Sequence, residues 1–371
     1  MKKTILIIIG IIFIVTAVIF VVRNNESQEN KNIIKVGALL ILSGDFAKYG
    51  EAGRNAIEIA VSDYNSKPSV TSGRDPRVEV IYEDTHADPK TAVSAYQKLV
   101  SFDKVDVIIG PLLQVEMSAI NSLVKKDGIP VFSVAPIPMD QRENTSNPLV
   151  VWPDPTLEAE QMAQYVFDQG IKTVGSISTK DAWESEVSEA FLKKFTSLGG
   201  QIVANEVVLP DSKDTSLPVT KVIVTKPDAI FVGTYYKFIY FVRKIKELGY
   251  KGKLYSIEID TYLSGETKPY SDGLQFISPA FYTPKFTKEY QDLYGEAPSI
   301  PSGQAHDAMS LLLSLITKAD STNFRDDMLN EMAKLTEFDG VSGKITFTSN
   351  HRAIFPLSIF QIDNGAINKV K

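Results

Sequence analysis

Glu258 follows the apolar run Lys253–Ile257, a place where a carboxylate has few structural reasons to sit. In a closed cleft it would hold a cationic group through short, charge-assisted hydrogen bonds; otherwise it is a solvated or ion-paired loop residue. Tyr235 stands in Gly-Thr-Tyr-Tyr after the run Ala229–Val232. Its hydroxyl can donate or accept, or its ring can simply pack. Trp183 begins a helical stretch and presents a face that stacks on a ligand or a cation, or that anchors the helix. Gln114 begins another, just after Gly110-Pro111. Its amide, with the free N–H groups of a helix start, suits a carboxylate, although an ordinary first-turn residue reads the same way. An anion for an ammonium and donors for a carboxylate are what a small zwitterion needs.

Signals for catalysis are weak by comparison. No G-x-G-x-x-G follows a strand, and there is no G-x-S-x-G elbow. Gly340-Val341-Ser342-Gly343-Lys344 lacks P-loop spacing and precedes a strand rather than a helix. The chain has no cysteine, which removes disulfides, thiolate metal sites, iron–sulfur clusters, Cys nucleophiles and a Cys-attached lipid. Its 3 histidines, His86, His306 and His351, form no i,i+4 pair. A metal site can be drawn from His86 with Glu83, Asp84 and Asp88, but such a loop is ordinarily a solvated, helix-capping turn. His306 lies on an apolar helix, and His351 lies in a turn beside Asn350 and Arg352. No catalytic residue, cofactor or metal is therefore expected. Asn144-Thr145-Ser146 is a formal glycosylation sequon, a tripeptide common by chance.

The elements that position these residues alternate. The run Ile33–Leu40 ends in Ser43-Gly44-Asp45, and apolar residues then recur at helical spacing over Glu51–Asn65. Strand-like Val78–Tyr82, helical Ala92–Val100, strand-like Val105–Ile109, helical Gln114–Lys126 and strand-like Pro130–Val134 follow. A second series begins after Pro153-Asp154-Pro155. Helices over Thr156–Asp168, Trp183–Leu198, Leu217–Thr225 and Phe238–Leu248 lead in turn to strands over Lys172–Ile177, Gln201–Val208, Ala229–Val232 and Lys253–Ile257. Leu274–Ser278 reads as a further strand. After Pro284 come helices (Phe286–Tyr294, Ala305–Ala319, Asp326–Leu335), then two strands (Lys344–Phe347, Phe355–Gln361). Short apolar strands separated by helices predict an α/β protein with parallel sheets covered on both faces, in two lobes. The prolines near 153–155 and 279–284 mark the passages between them. Ligands in such folds sit beyond the carboxyl ends of the strands, and a cleft between lobes is a preferred small-molecule site.

Composition narrows the class. The 371 residues carry 39 Lys+Arg against 45 Asp+Glu, a net charge of -6, with 44% apolar and 10% aromatic residues. That describes a globular chain without the basic stripe a nucleic-acid binder needs. Thr4 to Val22 is 19 residues without a charge, preceded by Lys2 and Lys3, so segment 1–23 reads as a transmembrane anchor or a signal segment. The run ends in Val-Val-Arg with no clear cleavage site, which favours a retained anchor over a cleaved signal. A polar tether, 24–33, would place the folded body outside the cytoplasmic membrane.

Several stretches now carry a resemblance. Strand 1 with LSGDFAKYGEAGRNAIEIAVSDYN, then YEDTHADPKTAVSAYQKLV, VDVIIGPL, GIPVFSVAP, DAIFVGTYY, ELGYKGKLYSIE and SGQAHDAMSLLLSLI resemble, in that order, type I periplasmic binding proteins of the leucine/isoleucine/valine-binding branch of ABC importers. The resemblance implies two doubly wound lobes joined by three crossovers (34–153 plus 280–354, and 154–279 plus 355–371), closing by hinge motion on a ligand. It implies that Glu258 pairs with a ligand ammonium, that Tyr235, Trp183 and Tyr49 touch the ligand, and that Ala135 contacts it through its backbone. Gln114 stands where the family's carboxylate-holding serine would be, and Ile137 where a threonine would be. The crossover aspartate falls on Pro155, with Asp154 adjacent. The ammonium side is thus kept while the carboxylate side has lost two hydroxyls, which implies a less polar or differently shaped ligand. The resemblance implies an extracytoplasmic solute-binding protein taking an amino acid or analogue, with an ABC permease as partner. A ligand sensor reporting to a receptor, or an enzyme using Glu258 as general acid or base, are the alternatives.

Overall fold

The structure, a computed structural model, describes residues 33–142, 145–279, 282–319, 323–349 and 351–370. The expected membrane segment, most of the tether and Asn144 lie outside them. Among the described residues no helix is long and apolar enough to cross a membrane.

Strands β1 (Ile33–Leu40), β2 (Arg77–Asp84), β3 (Val107–Ile109), β4 (Val131–Ser133) and β5 (Leu149–Val150) form a parallel sheet in the order β2-β1-β3-β4-β5. The helices between them are α1 (Ala47–Asn65), α2 (Pro89–Lys98) and α3 (Gln114–Asp127). From Val36 onward β1 is buried on both faces, so it reads as a continuous apolar run rather than an alternating one. The chain then passes to a second sheet. Its parallel part comprises β6 (Thr173–Thr179), β7 (Gln201–Val208), β8 (Ala229–Gly233), β9 (Lys253–Ile257) and β10 (Gln275–Pro279). The accompanying helices are α4 (Pro155–Asp168), α5 (Ala182–Ser197), α6 (Ser216–Val224), α7 (Phe238–Glu247) and the short α8 (Thr261–Glu266).

After β10 the chain returns. Helices α9 (Pro284–Tyr294), α10 (Ser302–Ile316) and α11 (Phe324–Ala333) bury Phe286, Tyr290, Leu312 and Met328 against the same core as Val36, Ile57 and Ile109 of the first lobe. A small antiparallel sheet follows, built of β11 (Glu337–Gly340), β12 (Gly343–Phe347) and β13 (Ala353–Ile354). The chain finally crosses back as β14 (Leu357–Asp363) and β15 (Ala366–Lys369), giving the second sheet the order β15-β14-β10-β9-β8-β6-β7.

This end of the chain adds strands that periodicity did not show. Lys344–Phe347 lies in the small sheet, whereas the second late strand joins β10 antiparallel. With no helix between β14 and β15, no right-handed parallel crossover is available. The hairpin turns at Asn364-Gly365, both with positive φ (52° and 82°), the conformation of a two-residue type I′ turn. That Asn-Gly pair was the local signal for a strand the periodicity did not show.

One close approach fixes the first loop. Gly50 sits in the first turns of α1, where an added Cβ would lie 1.7 Å from the Ile41 carbonyl oxygen. Helix α1 can therefore seat its start directly on the end of β1, which aims Phe46 and Tyr49 away from the first sheet's core edge and into the space between the lobes. Gly50→Ala should destabilise the protein by ~2 kcal/mol or more, because backbone rather than a flexible side chain must move. Chemical denaturation would read this; an unchanged midpoint would contradict the contact.

Candidate functional site

Loops from both lobes line a cleft between them. Phe46 and Tyr49 enter from the first loop, Leu112 to Val115 from the start of α3, and Trp152 from the crossover. The second lobe supplies Asp181 and Trp183 at the start of α5, Tyr235 and Tyr236 after β8, and Glu258 after β9. Tyr49 and Tyr235 meet edge to face across the cleft, ring centres 6.2 Å apart, and Phe46 and Tyr236 do so at 5.4 Å. Such pairs contribute on the order of 1 kcal/mol each beyond area burial. The two lobes thus touch through rings around the cavity.

Of the residues singled out from the sequence, the cleft gathers Glu258, Tyr235, Trp183, Gln114 and Tyr49. Ala135 lies fully buried in a core cluster of the first lobe, with its N–H and carbonyl both bonded to the Ser133 hydroxyl. Ile137 and Asp154 line a second hollow, behind Trp152, with Arg142 and Arg352. Asp154 caps α4 by accepting from the N–H groups of Thr156 and Leu157, and both arginines donate to its other oxygen. His86, drawn above as a possible ligand, bonds Ser43 and lies beside Asp84, which caps that loop; among the described residues no group of acids, histidines or cysteines could hold a metal.

Glu258 is 5% exposed and adopts φ +50°, a left-handed backbone that costs a non-glycine residue roughly 1 kcal/mol or more. The indole N–H of Trp152 donates to it at 3.1 Å. Its second neighbour is Glu158, fully buried one turn into α4 and with no donor on either oxygen. Burial raises the pKa of Glu258, while its contacts with Glu158 and Trp152 pull the other way. Burial, then the Glu258 charge, pushes Glu158 well above the ordinary carboxylate range. Two carboxylates in contact and out of water do not both ionise readily, so the pair keeps at least one proton near neutrality.

Other buried acids surround the cleft. Glu184 of α5 accepts from the backbone N–H groups of Tyr235 (2.9 Å) and Tyr236 (3.1 Å) and from the Thr234 hydroxyl (2.8 Å). Glu116 of α3, its pKa pushed up to about 7 by burial, accepts from the N–H of Leu113. Gln114 donates its amide nitrogen to Glu186 of the opposite lobe at 3.3 Å. Arg142 and Thr156 also donate to Glu186. Tyr235 donates its hydroxyl to Asp260, the residue that caps α8. Sequence reasoning reached the loops of Phe46, Asp181 and Tyr236. It missed Trp152, and it missed Glu158, Glu184 and Glu186, three acids whose only signal was a charge at a position otherwise apolar in the helical pattern.

The comparisons with known proteins agree with this architecture. A family model described as periplasmic binding protein matches residues 33–366. The Leu/Ile/Val-binding protein BraC3 of Rhizobium johnstonii is 26% identical over 205 residues, 55% of either chain, so this chain spans about half the length of the curated relatives it matches. A leucine-binding protein, LivK, of Thermotoga maritima superposes with a TM-score of 0.81 at 24% identity, covering 91% of this chain and 98% of its own. A Rhodopseudomonas palustris solute-binding protein in complex with benzoate gives 0.79 at 19%, covering 91% and 95%. At those identities the two structures speak for the fold alone.

The acid pair makes a pH-dependent contribution. Glu158, Glu258 and Glu116 all have folded pKa values above the ordinary 4.5 of a glutamate, so the native state binds more protons than the unfolded chain between that value and neutrality. Their stabilisation is complete below about 4.5; for Glu116 and Glu258 it is lost as pH rises through about 7, at about 1.4 kcal/mol per unit of upward displacement, and for Glu158 as pH rises through its own raised value. Glu158→Gln should flatten this fall in thermal stability between pH 5 and 8; an identical pH profile would show that the two carboxyls do not share a proton. Fold, cleft and family model together place the chain in the periplasmic binding protein family, in the type I branch whose relatives include the Leu/Ile/Val-binding proteins.

Proposed function

We propose that this chain is the extracytoplasmic solute-binding subunit of an ABC-type importer. It captures a small amino-acid-like ligand in the cleft between its lobes, and hinge closure presents the loaded form to a permease. The observation that carries the reading is Glu258: a buried carboxylate on left-handed backbone, at a strand's carboxyl end, facing a ring-lined hollow shared by both lobes. A structure stores such a cost where a ligand uses it. The ligand's ammonium would take up the pair's negative charge, and the rings would cover its body. Catalysis is not needed: the binding energy shifts an open–closed equilibrium. Segment 1–23 would hold the body at the outer membrane surface, or be removed after export.

Ligand that binds only the native state raises stability by mass action, ~2.7 kcal/mol at a hundredfold excess over Kd. A thermal-shift screen of amino acids, amides, amines, short peptides and aromatic acids on the full chain should therefore return a concentration-dependent rise for one chemical class. Glu258→Ala should weaken that ligand by about 2–5 kcal/mol, because a buried ammonium loses its counter-charge. Equal affinity in calorimetry would remove Glu258 from the site. Turnover of the ligand that stops in Glu258→Gln would favour an enzyme instead.

A further inference from the structure

Resting on the ammonium reading of Glu258, we infer that the cleft selects an organic cation without a free carboxylate: an amine, or the amide of an amino acid. Three observations carry this beyond the zwitterion that the proposed function leaves open.

The first is charge. The cleft lining contains two carboxylates, Asp181 and Glu258, and among the described lining residues no lysine, arginine or histidine. Arg142, which shares Glu186 with Gln114, is held by Glu186, Asp154 and the Ile137 carbonyl. A ligand carboxylate would enter a field of one sign with no counter-ion, a costly state in a water-poor site.

The second is that the protein's own acids occupy several of the donors a ligand carboxylate could use. On the second lobe, Glu184 takes the N–H groups of Tyr235 and Tyr236. On the first, Glu116 takes the N–H of Leu113, the residue that precedes α3. Gln114 spends its amide nitrogen on Glu186. That contact also settles its orientation, because a carboxylate must face the NH₂ end. The other end, Oε1, is left buried without a partner on a side chain 5% exposed. An unpartnered acceptor lining the cleft calls for a donor: an amide NH₂ or an ammonium N–H satisfies it, and a carboxylate is repelled by it.

The third is the wall. Phe46, Tyr49, Trp152, Trp183, Tyr235 and Tyr236 all face the cavity. Ring faces attract cations and accept apolar bodies, and they give a carboxylate no compensating charge. Glu158 adds a supporting feature: with one proton shared between it and Glu258, the pair is already arranged to exchange that proton for a ligand cation.

The test compares matched probes on the purified full chain at pH 7.5 by calorimetry: leucine, leucinamide and 3-methylbutylamine; phenylalanine, phenylalaninamide and phenylethylamine. The expected result is at least tenfold tighter binding of an amide or amine than of its parent amino acid. Glu116→Gln, which keeps an acceptor at the helix start but removes the buried acid, should narrow that ratio in favour of the carboxylate. An amino acid that binds as tightly as its amide overturns the inference and leaves the binding-protein reading standing. Binding of hydrocinnamate or benzoate with no response to any amine overturns the inference and the ammonium role of Glu258 together, as does an unchanged amine affinity in Glu258→Gln.

Discussion

A carboxylate taken out of water must be met by donors or by a proton, and the space between these lobes is organised around that requirement. Glu184 is met by three backbone N–H groups and two threonine hydroxyls, Glu186 by an arginine, a threonine and a glutamine amide, and Glu116 by the N–H of the residue before its own helix. Glu158 and Glu258 have no comparable set and keep a proton between them. The result is a hollow whose ready-made donors face inward to the protein's own acids. What remains for a guest is negative charge, aromatic rings with the hydroxyls of Tyr49 and Tyr236, and the buried side-chain carbonyl oxygen of Gln114.

The same contacts hold the lobes together. Gln114 and Arg142 of the first lobe both reach Glu186 of the second, while Arg142 and Arg352 converge on Asp154 at the crossover. Two ring pairs close the front. Contacts of this kind are individually modest, and several are made only when the lobes face each other. They belong to the free energy of the closed arrangement rather than to the core of either lobe, whose stability comes from separate apolar clusters. On the proposed function, a ligand would have to add only a moderate difference in affinity to bias closure.

The first lobe's element order was legible because its strands are buried on both faces and its helices keep an apolar stripe; β1 ends at Leu40 and α3 begins at Gln114, as the pattern predicts. The end of the chain was less legible. Strands β11 and β13 are short and alternately exposed, and β15 is an exposed edge, so none carries a strong apolar signature. Among the candidate site residues, Glu258 and Tyr235 stood out as polar groups at strand ends. Ala135 and Asp154 came from resemblance, and their backbone and capping bonds are local matters that a family pattern does not resolve.

What the sequence by itself determined is the set of layers, the loops at the strand ends and the chemical types available there, because periodicity and turn chemistry act over a few residues. What only the tertiary structure decided is which acid meets which donor. Glu158 and Glu258 lie 100 positions apart, and Gln114 and Glu186 lie 72 apart. Whether such a group is paired, protonated or open to a guest depends on burial and on partners brought from the other lobe, and neither is written in local spacing.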